Sequence, residues 1–151
     1  MVVSVRAFEP SDVEDILRIY QSFGVWFEDI GVNRDFIISS TERPDFRLLV
    51  AQDGGGVIGF VGCLYYTSVR RGELGPIGVD LSRQGEGVGS ILMDAIMGFL
   101  NEAKISKVIV KVKASNQNAI NFFLSRGLFF EAYLRGYTKK GEDIVQMSNV
   151  T

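Results

Sequence analysis

The stretch Arg83-Gln84-Gly85-Glu86-Gly87-Val88-Gly89-Ser90 decides how the rest of the chain is read. Glycines at alternate positions let successive backbone N–H groups turn into one concavity. The apolar positions that follow, Ile91, Leu92, Ala95, Ile96, Phe99 and Leu100, predict one face of a helix running from Ser90 to about Lys104. A helix N-terminus carries unsatisfied donors and a positive dipole end, so loop and helix together predict a site for an anion such as a phosphate or pyrophosphate. Immediately upstream, Glu73 to Asp80 reads as a strand, yet Gly75, Pro76 and Gly78 interrupt it. Proline and glycine do not belong in an ordinary central strand, so a bulge or locally broken pairing is expected.

An isolated GxGxG also suits a flexible helix entry with no ligand, so the spacing has to discriminate. A Walker A loop ends in Gly-Lys-Ser/Thr, and no lysine precedes Ser90. A Rossmann fingerprint is GxGxxG after the first strand of a parallel unit, whereas these glycines lie past the midpoint of the chain.

Outward from the loop, the pattern alternates strands and helices. Val2 to Ala7 reads as a first strand, and Ser11-Asp12-Val13-Glu14 predicts a capping box. Val13, Ile16, Leu17 and Tyr20 then give an amphipathic helix, and Phe36-Ile37-Ile38 fits a short second helix before Pro44. Arg47 to Ala51 and Val57 to Thr67 form a predicted hairpin around Asp53-Gly54. Lys107 to Lys113 alternates Lys with Val or Ile, a strand with one solvated face. Asn118 to Ser125 is a short helix closed by Gly127. Leu128 to Thr138 and Asp143 to Ser148 make a last hairpin. The order is that of a mixed α/β sheet, expected as one domain over residues 1–151.

Composition removes whole classes of chemistry. The 151 residues include no histidine, which excludes Ser-His-Asp and Cys-His catalysis and every histidine-containing zinc site. No metal is expected. The single cysteine, Cys63, excludes an internal disulfide and fits a cytoplasmic chain. It lies in an apolar strand and reads as a buried filler rather than a nucleophile. A net charge of −2 argues against a nucleic-acid partner. No membrane partner is expected either, since the apolar run Val57 to Tyr66 is about half of a spanning helix and the N-terminal stretch lacks an export-type apolar core.

Gln84-x-x-Gly87-x-Gly89, following the interrupted strand Gly75-Pro76-Ile77-Gly78-Val79-Asp80, resembles motif A of the GNAT superfamily, the acyl-CoA-dependent N-acyltransferases. Asn116-Gln117-Asn118-Ala119, Phe122-Phe123 and Arg126-Gly127-Leu128 resemble that family's second signature, N-x-x-A, an aromatic, then Gly-Phe. The resemblance implies a strongly twisted mixed sheet of about six to seven strands with about four helices. Its fourth and fifth strands would splay to admit a pantetheine arm. It further implies an acetyltransferase that moves an acetyl group from acetyl-CoA to a primary amine of a small molecule, peptide or protein by direct attack in a ternary complex, in a family whose members are often homodimers. The amides of Gly85, Gly87, Val88, Gly89 and Ser90 would hold the CoA pyrophosphate, with Gln84 assisting. Ile77 and Val79 would pair with the pantetheine, and Asn116 would reach it from the opposite strand or cap a helix.

Amine acylation needs a neutral nitrogen, and deprotonating an ammonium at neutral pH costs roughly 4–5 kcal/mol. Without histidine, the base must be a carboxylate, a tyrosine, water or the substrate itself. Glu73 is the candidate: it lies eleven residues before Gln84, the spacing found in GNAT members with a catalytic glutamate on the fourth strand. From Glu73 to Val79 an extended strand spans roughly 20 Å, comparable to a stretched pantetheine. The backbone N–H near Val79 would face the oxyanion. One departure stands out. Phe123 occupies the position of the family's usual tyrosine, the proposed acid for the leaving thiolate. Tyr65, Tyr66, Tyr133 and Tyr137 are candidate substitutes. Trp26, Phe27, Glu28, Asp29 and Asp35 could line an aromatic, acidic mouth for a cationic amine, or could equally be a solvated face with core aromatics. The loss at Phe123 also keeps open a non-catalytic acyl-CoA-binding regulatory module.

Overall fold

The computed structural model describes residues 2–23 and 32–150, beginning with β1 (Ser4–Ala7) and α1 (Val13–Ser22). α2 (Arg34–Thr41) leads into the hairpin of β2 (Phe46–Gln52) and β3 (Val57–Tyr66), followed by β4 (Arg71–Val79). α3 (Val88–Glu102), β5 (Lys107–Lys113), α4 (Gln117–Ser125), β6 (Phe129–Leu134) and β7 (Ile144–Ser148) complete the order. The predicted mixed sheet is present. Its seven strands run β1-β2-β3-β4-β5-β7-β6, antiparallel everywhere except between β4 and β5.

Each face of the sheet carries its own helices. Leu92, Met93, Ile96 and Leu100 of α3 pack with Ile120 and Phe123 of α4 over Val61, Leu74, Val110 and Met147. On the other face Val13, Ile16 and Ile19 of α1 and Ile37 of α2 cover Leu48, Val50 and Phe60. Most of the apolar positions read from the sequence are buried there, since burial of apolar area is what holds short helices in place; Ile91 is instead exposed, and Ile19 and Met93, outside the predicted stripes, are buried. No described helix is long and apolar enough to cross a membrane.

The interrupted strand behaves as its residues require. β4 pairs with β5 from Arg71↔Lys107 to Leu74↔Val110, and there the two strands part. From Ile77 to Val79, β4 remains paired only with β3, across a register shift between Val61 and Cys63. That shift depends on Gly62: a Cβ there would lie 2.8 Å from the Gly75 carbonyl oxygen, closer than a side-chain carbon can sit to backbone.

Two expectations are corrected. The capping box is formed by Glu9 and Asp12, whose side chains each accept from the other's backbone N–H, and not by Ser11 and Glu14. Pro10 starts a 3-10 turn at residues 10–12, which places Ser11 inside the turn. Nor is the lysine face of β5 simply solvated. Lys113 is 8% exposed and paired with Glu142, and Lys111 lines a cleft. Once β4 has turned away, the far half of β5 borders that opening instead of bulk water.

Candidate active site

A cavity of about 900 Å³ fills the fork between β4 and β5 and extends from the start of α3 to α2. Every residue expected to serve the site lines it: Glu73, Ile77, Val79, Gln84, Gly85, Gly87, Val88, Gly89, Ser90 and Asn116. One end is built for an anion. Gly87 is the N-cap of α3 with φ +84°, so the chain enters the helix through a left-handed residue that offers no side-chain cap. The first N–H groups of α3 consequently have no intrahelical or capping acceptor. The Gln84 side chain donates from Nε2 to the Val79 carbonyl oxygen at 2.9 Å, holding the loop against β4. Arg83 at the loop's edge is ion-paired with Asp53 and, at 3.1 Å, with Glu86.

Midway, Asn116 Oδ1 accepts from the Ala119 N–H at 3.2 Å and so caps α4 while lining the cavity. At the apex of the fork, Glu73 Oε1 accepts from Lys111 Nζ at 2.7 Å. The Tyr137 ring centroid lies 5.8 Å from the same ammonium. Burial would pull Lys111 down, but the hydrogen bond and charge of Glu73, with a contribution from Tyr137, hold it above the ordinary lysine value. Phe123 is buried on the cavity wall, edge-on to Phe122 with centroids 5.2 Å apart. Burial pushes the neighbouring Cys63 thiol up to about 12, so it is a neutral core group at physiological pH.

Of the four tyrosines considered, the cavity is lined only by Tyr137. Tyr65 donates to the Pro44 carbonyl and Tyr133 to Asp143, while Tyr66 borders a separate small pocket. The far end of the cavity is aromatic, with Tyr20 from α1, Phe23 just beyond its end, Phe36 from α2, and Phe46. Arg43 stands there too, its guanidinium held by both oxygens of Asp45 at 2.9 Å. Asp35 does not line it, and Trp26, Phe27, Glu28 and Asp29 lie outside the described residues. Lys111, Tyr20 and Arg43 were not read as site residues from the sequence. For Lys111 the available signal was its place opposite the Gly75-Pro76 interruption.

Residues 13–128 match the model of the acetyltransferase (GNAT) family. The chain belongs to the GNAT family. No curated protein matches it in sequence. Among solved structures, this GNAT chain superposes on Ard1 from Thermoplasma volcanium with a TM-score of 0.86 at 26% identity, covering 98% of this chain and 97% of that one. It is also similar in fold to the ribosomal-protein-S18-alanine N-acetyltransferase of Escherichia coli, with a TM-score of 0.81, 21% identity and coverage of 97% and 92%. A spermidine N-acetyltransferase SpeG variant from Vibrio cholerae gives a TM-score of 0.82 at 18% identity, covering 96% and 93%. The GNAT assignment makes it an acetyltransferase by family, and its sheet and helices have the GNAT arrangement.

Proposed function

We propose that this protein is an acetyl-CoA-dependent N-acetyltransferase acting on a primary amine of a small molecule, a peptide or a protein. The observation that carries the reading is the parting of β4 from β5 directly after Leu74, on the same cavity as the uncapped start of α3. A pantetheine arm carries amides and needs backbone partners, and a pyrophosphate needs clustered N–H donors; the fork and the helix start offer both. Acetyl-CoA supplies the acetyl group as a thioester.

The chain's residues divide the work. The amides of Gly85, Gly87, Val88, Gly89 and Ser90 bind the pyrophosphate, and Gln84 fixes their loop. Ile77 and Val79 present backbone to the arm, and Asn116 faces it from the β5 side. Glu73 takes the proton that the acceptor amine must lose. The backbone N–H near Val79 stabilises the oxygen as it becomes negative.

Glu73 is the single carboxylate among the described residues lining the cavity, which also include Arg43, Arg83, Lys111 and Lys113. Each of these cations is paired with a carboxylate, Arg43 with Asp45, Arg83 with Asp53 and Glu86, Lys111 with Glu73 and Lys113 with Glu142, so the charge of the wall does not choose between a small-molecule amine and a peptide amine. Phe123 favours a second reading, an acyl-CoA-binding regulatory module without turnover. Thermal unfolding with CoA, together with thiol release from acetyl-CoA against peptide amines and spermidine, separates the possibilities. We expect CoA to raise the Tm and at least one of these amines to stimulate release. A raised Tm with no amine-stimulated release supports the regulatory module, and no effect of CoA defeats both.

A further inference from the structure

The residue that would assist the leaving sulfur is missing at Phe123, yet the fork has a cation at its apex. Val110 is the last β5 residue paired with β4, so Lys111 is the first beyond the point of parting. An arm that enters the fork from the glycine loop brings its reacting end to this apex, beside Glu73 and Lys111. The ammonium has three donors, and one is engaged by Glu73 at 2.7 Å.

We propose that Lys111 stabilises the departing thiolate, taking over the task of the hydroxyl that Phe123 lacks. This assignment rests on the acetyl-CoA reading above. In the step, the amine lone pair forms the C–N bond to the acetyl carbonyl carbon and the amine proton passes to Glu73. The C–S bond breaks, and its electron pair leaves on sulfur. Lys111 keeps its own proton throughout and pairs with the thiolate as a charge. An unperturbed alkyl thiol is mostly protonated at neutral pH, so unassisted thiolate departure is uphill, and an adjacent cation reduces that cost.

The groups facing the ammonium allow it to stay charged. Glu73 approaches from β4, and Tyr137 from the β6–β7 connection. Cys63 on β3, beyond Glu73, is neutral, and Lys113 further along β5 is paired with Glu142. Gln146, opposite Lys111 on β7, carries no charge.

The test uses CoA itself as the probe, bound to the full chain, with its thiol titrated by the ultraviolet absorbance of the thiolate. In the unsubstituted protein the bound thiol is expected to titrate at least about one unit below that of free CoA in the same buffer. Lys111→Met should return it to or above that value and lower kcat with acetyl-CoA by about tenfold or more. Lys111→Arg, which keeps the charge but cannot give up a proton, should restore the low value. An unshifted thiol in the wild-type complex, equal values in wild type and Lys111→Met, or failure of Lys111→Arg to restore the shift would each overturn the assignment. Absence of CoA binding to the unsubstituted chain would instead defeat the proposed function.

Discussion

Glu73 enters the reaction already paired, because Lys111 occupies one of its oxygens at 2.7 Å. Glutamine at that position keeps the shape and an acceptor oxygen but cannot take up the amine proton. Glu73→Gln should therefore lower kcat by about 10²-fold or more while leaving CoA affinity close to that of the wild type. Steady-state kinetics beside a CoA titration checks this, and an unchanged kcat would remove Glu73 as the base. The residues most legible in the sequence were those whose backbone does the work. Gly85, Gly87 and Gly89 were legible as a helix entry because they directly precede an apolar helical period, and all three line the cavity. Lys111 did not, because Lys-Val alternation reads the same whether a face meets water or a cleft. Its meaning depends on β4 turning away at Leu74, a fact of three dimensions.

At the scale of elements, the broken strand is the feature on which both fold and site rest. Gly62 on β3 lets β4 bend at Gly75, and a Cβ there would meet both the Gly75 carbonyl oxygen and the Phe46 ring at 2.8 Å. Gly62→Ala is expected to cost about 1–3 kcal/mol, measured as a loss of denaturant midpoint at unchanged slope, and to weaken CoA binding with it. The strands and helices themselves were readable, since their apolar periodicities are the faces now buried on the sheet. The start of the first helical segment was not. Ser-x-x-Glu is a good cap only if the chain has not already turned, and Pro10 turns it earlier.

For the molecule as a whole, the response to acid follows from its carboxylates. Asp12 is 4% exposed and lies 2.8 Å from both Arg6 terminal nitrogens and from the Glu9 N–H. The Arg6 hydrogen bonds, aided by Glu9 and opposed by burial, hold its pKa below the ordinary carboxylate value. A depressed folded-state pKa contributes stability above the unfolded value, and that contribution is lost as pH falls through the folded one. Asp12→Asn should thus cost about 1.5–3 kcal/mol at neutral pH and flatten the decline of Tm as the pH falls below about 5. A parallel decline in both proteins would contradict it. The cofactor end of the cavity could be anticipated from one loop, but the acceptor end could not, because it is assembled from α1, α2, β2 and the β6–β7 connection.

The strand order β5-β7-β6 has a consequence in time. During synthesis β5 and β6 are both complete before the strand that lies between them exists. Lys111 and its neighbours on β5 find their second-edge partner, Gln146 and the rest of β7, only after β6 has been made. The β6–β7 hairpin can form locally and then dock as a unit, so the cavity gains this wall after β4, α3 and β5 have all been made.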